Sequence, residues 1–186
     1  MEITLQAFVE DALELLWSGM HHATADLSLE QVQWRATPKL KVLSGLKVLS
    51  GVNSIGFLTW HITRIEDNFI QRFIQRGDEV WQVGGWQEKF GYETRGIGTG
   101  FTEEDTEKVV IPAAEVMLGY LDEVNRRTRE YLATLDWLTL TEKPRAERFP
   151  EWSIQTILRQ LIAHSNQHLG EINYVRGLQG LPGVLG

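Results

Sequence analysis

At 186 residues, with 42% hydrophobic and 23% charged side chains, the chain is long enough for one domain with a sizeable core. A formal charge of −7, with no block of Lys or Arg, argues against nucleic acid or an anionic membrane as partner. Zero cysteines exclude disulfides, thiolate metal sites and a cysteine nucleophile, which fits a cytoplasmic protein.

The acidic start, MEITLQAFVEDALELL, does not read as a signal peptide, and no run approaches transmembrane length. From Ile3 to Met20, the residues Leu5, Phe8, Val9, Leu13, Leu16, Trp17 and Met20 recur at three-and-four spacing, which predicts an amphipathic helix. His21 and His22 follow. Adjacent histidines point about 100° apart on a helix and do not easily share an ion, so they read as a solvated helix end. A polar linker is expected from Ala23 to Pro38. LKVLSG then occurs twice in tandem, Leu40–Gly45 and Leu46–Gly51, which reads as a local duplication lengthening a surface loop or hairpin.

Asn53 and Ser54 offer an N-cap to a second helix, expected to run to about Arg76 and to stop at Gly77. Its stripe is Leu58, Ile62, Ile65, Phe69 and Phe73, with His61 beside it. Between Gly77 and Gly100 the periodicity vanishes. Seven glycines are interleaved there with Trp81, Trp86, Phe90 and Tyr92, so the stretch is either a loop packed over a bundle end or the lid of a ligand pocket. Thr102–Asp105 resembles a helix start, and Pro112 is expected to begin a third helix as its first-turn proline. Met117, Leu121, Val124, Thr128, Tyr131 and Leu135 carry that helix to its end. A long connection leads to Ser153, the expected N-cap of a fourth helix reaching about Arg176, with Trp152 stapled onto Ile157 and Gly177 as the stop. Strand signals are weak throughout. The expectation is an all-α, four-helix bundle spanning residues 1–186 as a single domain, with long crossover connections.

The chemistry concentrates at His164 and His168. They continue the apolar stripe Ile154, Ile157, Leu158, Leu161, Ile172 and Val175, and four residues apart they differ by only about 40° around the helix. Polar rings on a core-facing stripe must find partners there, and a metal ion serves both. His61 on a second inward face makes a three-imidazole site for a divalent cation, with zinc or nickel the expected ions. Such a site leaves a position open for water or substrate. Glu171 lies on the same face, as an acceptor for an imidazole N–H, a fourth ligand or a general base. Asn68, seven residues after His61, is placed to hydrogen-bond a ligand. Position 165 is Ser, so the HExxH zinc motif is absent, and no histidine follows a Glu by three residues, which removes the di-iron bundle signature.

NSIGFLTWHITRIED in the second helix and AHSNQHLGEINYVRGLQGLPG at the end resemble the DinB-like (DinB/YfiT) superfamily, as does GGWQEKFG in the long loop. The resemblance covers nearly the whole chain. It implies an up-down-down-up bundle and a metal held by three histidines, which fall on His61, His164 and His168. It further implies thiol-dependent S-transferase or isomerase activity with a low-molecular-weight thiol cosubstrate, or metal-dependent hydrolysis, and makes a homodimer plausible. The tandem LKVLSG insert departs from the family's pattern. Three function classes follow. The first is a metal-dependent enzyme acting on a small molecule, its substrate pocket shaped by Trp81, Trp86 and Tyr92. The second is a non-catalytic metal or small-ligand binding stress-response protein, and the third a plain bundle whose histidines bind only side chains.

Overall fold

The computed structural model describes residues 4–36, 53–144 and 149–184. Among these the secondary structure is entirely helical. The tandem LKVLSG segment lies outside the described residues.

Four long helices supply most of the core. α1 (Leu5–Thr24) begins at Thr4, whose side chain accepts from the Ala7 N–H. α3 (Ile55–Asp67) is capped in the same way by Ser54 and continues through a π-helical segment, Asn68–Ile74. The π register is visible where Gln75 N–H reaches back five residues to the Ile70 carbonyl (3.0 Å). Arg76, at φ 57°, turns the chain out of the helix, and the Gly77 N–H returns to the Gln71 carbonyl. α7 (Ala114–Thr134) and α8 (Ile154–Leu178) complete the set. α1 packs on α7 and α8, and α3 packs on the same two.

Short helices close the remaining sides. α2 (Leu29–Gln33), formed within the expected linker, carries a capping box between Ser28 and Gln31 and packs on α3. α4 (Val80–Val83) and α5 (Trp86–Phe90) order the glycine-rich stretch and pack on α7, and α4 also meets α3. α6 (Glu103–Glu107) starts at Thr102 with a second capping box. With partners on every side, all of α3 is buried, including Arg64, Glu66 and Asp67. An amphipathic stripe understates such a helix.

Two boundaries differ from expectation. Pro112 precedes the N-cap of α7, Ala113, and so is not a first-turn residue. α8 runs past Gly177 to Leu178, and the left-handed residue that ends it is Gly180 (φ 74°). The extra turn is held by buried Arg176, which donates to the Ala23 carbonyl (2.7 Å) and to Asp26 (3.0 Å). Trp152 stacks on Phe149 (centroids 4.0 Å) and meets Phe69 edge-on, filling the gap between α8 and the π segment. No helix among the described residues is long and apolar enough to cross a membrane.

Candidate metal centre

His61 from α3 meets His164 and His168 from α8, with ring centroids 5.0 and 5.1 Å from the first ring. One nitrogen from each ring lies within 4.8 Å of the other two. The two α8 rings present their Nε2 atoms 3.1 Å apart. Two nitrogens bound to one ion at about 2.1 Å, at tetrahedral or octahedral angles, are themselves about 3.0–3.4 Å apart, so this separation suits a shared cation.

Hydrogen bonds on the far side of two rings decide which nitrogen faces inward. His61 Nδ1 contacts the Ile97 carbonyl oxygen. A carbonyl only accepts, so the ring proton sits on Nδ1 and Nε2 keeps its lone pair. His168 Nδ1 likewise donates to Glu171 Oε2 (2.9 Å), freeing its own Nε2. Phe57 stacks nearly parallel to His61, 8° between planes, and limits rotation of that ring. His164 Nδ1 is buried without a hydrogen-bond partner, so this ring, unlike the other two, is not held from behind.

Burial pushes His61 down to about 4, against the pull of the Ile97 carbonyl and with the His168 ring adding to the shift. His164 is pushed down to about 3 by burial, then by the neighbouring His168 and His61. Both are therefore neutral near pH 7, the protonation state in which imidazole ligates a metal. The donor set, its inward lone pairs and its spacing fit a divalent cation.

A cleft of about 250 Å³ opens onto the three rings. Phe57 and Phe101 give it aromatic walls, and Asn53, Thr99 and Glu103 give it polar ones. Several expected site residues lie elsewhere. Asn68 donates to Glu79 (2.6 Å) inside the protein and does not turn to the cleft. Trp81 is fully buried against Tyr120 and donates its indole N–H to the Thr94 carbonyl (2.8 Å). Trp86 donates to Glu123 (2.7 Å), and Tyr92 packs on Trp60. The expected Trp81, Trp86 and Tyr92 wall is thus replaced by Phe57 and the Gly98–Thr102 turn. Aromatics in a glycine-rich stretch suit a core anchor and a pocket wall equally, so sequence held no signal to separate them. Outside the centre, His21 pairs with Asp122 (2.6 Å), in keeping with its place at a helix end.

The family model of the DinB superfamily matches residues 12–172. No functionally curated protein matches the chain. A crystal structure described as a conserved protein of locus from Enterococcus faecalis is similar in fold. It is 20% identical with a TM-score of 0.76, over 95% of this chain and 98% of that one.

Proposed function

The chain belongs to the DinB superfamily, and on that premise we propose that it is a divalent-metal-dependent enzyme, an S-transferase or hydrolase acting on a small molecule. The observation that carries the reading is the convergence of three imidazoles, two with their inward lone pairs fixed from behind.

His61, His164 and His168 would hold the ion, zinc or nickel by their nitrogen chemistry. When bound, the ion supplies a Lewis-acid centre that lowers the pKa of a thiol or water beside it. Glu171 and the Ile97 carbonyl hold the imidazole protons away from that centre. The cleft binds and orients the reactants: Phe57 and Phe101 exclude water from an apolar portion, while Asn53, Thr99 and Glu103 offer hydrogen bonds. Because the chain has no cysteine, a thiol nucleophile would come from a low-molecular-weight cosubstrate.

The same reading takes the helices as an up-down-down-up bundle. In its support, Glu14 and His21 of α1 pair with Arg129 and Asp122 of α7 in reverse order. Gly19 and Ala23 meet Leu169 and Arg176 of α8 in the same order. His61 and Phe69 meet His168 and Trp152 in reverse. It also takes the protein as cytoplasmic, without nucleic-acid or membrane partners, in line with its charge of −7, and as a homodimer by family resemblance.

A panel of low-molecular-weight thiols offered with an electrophilic acceptor, and of ester and amide substrates, tests the proposal on metal-loaded protein. Turnover that needs the ion and disappears in His168→Ala is expected. Stoichiometric metal binding with no metal-dependent turnover on either panel would make this a binding protein instead.

A further inference from the structure

Three, six and seven residues after His61, α3 and the π segment that continues it carry Arg64, Asp67 and Asn68, all buried. Arg64 donates to Glu79 (2.7 Å), to Asp67 (3.3 Å) and, through Nε, to the Gly96 carbonyl (3.4 Å). Asn68 takes the other Glu79 oxygen. Asp67 accepts from the backbone N–H groups of Val80 and Trp81, each at 2.8 Å, and from the Tyr120 hydroxyl. Trp81, held in this way beneath the Arg64 guanidinium, donates its indole N–H to the Thr94 carbonyl.

The carbonyls of Thr94 and Gly96 are thus fastened to α3 from below. The next carbonyl, that of Ile97, receives the His61 proton. Gly98 follows at φ +90°, so close that a Cβ there would lie 2.5 Å from His61 Nδ1. Replacing such a buried ion network by apolar groups is often neutral or favourable, so stability alone is weak grounds for it. Its geometry leads from one helix out to a loop and back to the ring of the same helix.

We infer that Arg64, with Asp67, Glu79 and Trp81, positions His61. The network fixes the 94–98 segment so that the Ile97 carbonyl keeps the proton on Nδ1 and leaves Nε2 facing the cleft. The consequence for cation affinity rests on the metal reading above, whereas the tautomer does not.

Arg64→Lys keeps the charge but cannot serve both Glu79 and Gly96. Trp81→Phe keeps the ring and removes the Thr94 bond, and Gly98→Ala pushes the turn off the imidazole. Two readouts are taken on full-length protein with thermal melts alongside: the 15N imidazole signature of His61 without metal, and calorimetric nickel affinity. The wild-type ring is expected to carry its proton on Nδ1. In each folded variant that signature shifts toward a tautomer mixture, and nickel affinity falls about 10- to 100-fold, the range for groups that orient metal ligands. Should Arg64→Lys not fold, the other two variants decide. Folded variants with a lowered melting temperature but unchanged tautomer and affinity would overturn the inference. A wild-type chain that binds no nickel overturns the metal reading instead, and the tautomer readout still decides the positioning role.

Discussion

Glu66 is fully buried in α3, where it accepts from Thr128 (2.6 Å) and Trp17 (3.0 Å). Burial outweighs both donors and pushes its carboxyl up to about 7. The unfolded chain releases this proton near 4.5, so the group's contribution is complete below that pH. It is lost as pH rises through about 7, a change on the order of 3 kcal/mol. Glu66→Gln should therefore melt higher than wild type at pH 8, with the difference closing towards pH 5; parallel melts over that range measure it. Glu171, by contrast, is half exposed, and its value lies in the bond to His168 Nδ1. Glu171→Ala should weaken nickel or zinc binding about 10-fold or more in titration calorimetry, with little change in melting temperature without metal. The pairing of His168 with Glu171 was legible in the sequence, because three-residue spacing on a helix brings side chains together. The fate of Asn68 was not. A seven-residue step fixes its face, but Glu79, folded back by the turn that follows the helix, claims its amide.

α2 shows how tightly a short helix is seated on α3. A Cβ on Gly56 would lie 2.5 Å from Ile111 and 2.8 Å from Val32 side-chain atoms, and 3.2 Å from the Val32 carbonyl. Gly56→Ala should cost about 1–3 kcal/mol by overpacking, read as a lower denaturant midpoint at unchanged slope. The four long helices were legible because each repeats its apolar residues over several turns. α4 and α5, at five residues or fewer, are too short for a period to register, whereas α6, equally short, was legible by its start at Thr102–Asp105. α2 left one trace, the Ser28 and Gln31 capping box. The change from α to π geometry at Asn68 left none, since the apolar stripe runs through it without interruption. Arg64, Glu66 and Asp67 resemble the solvated face of an amphipathic helix, and only the packing of α2, α4, α7 and α8 around α3 makes that face an interior.

Across the whole molecule, the centre brings together two helices far apart in sequence, with one imidazole on α3 and two on α8. A cation bound there links them, and it favours the folded chain over the unfolded one, by about 2.7 kcal/mol at a hundredfold excess over its dissociation constant. Loading should accordingly raise the melting temperature by roughly 5–10 °C for a domain of this size, and should not do so in His168→Ala. The most direct test is metal content: wild type and His168→Ala are loaded with zinc or nickel, desalted and analysed for bound ion per chain. One ion per wild-type chain and essentially none in the variant is the expected result. Equal metal content in the two, whether both empty or both loaded, would contradict it.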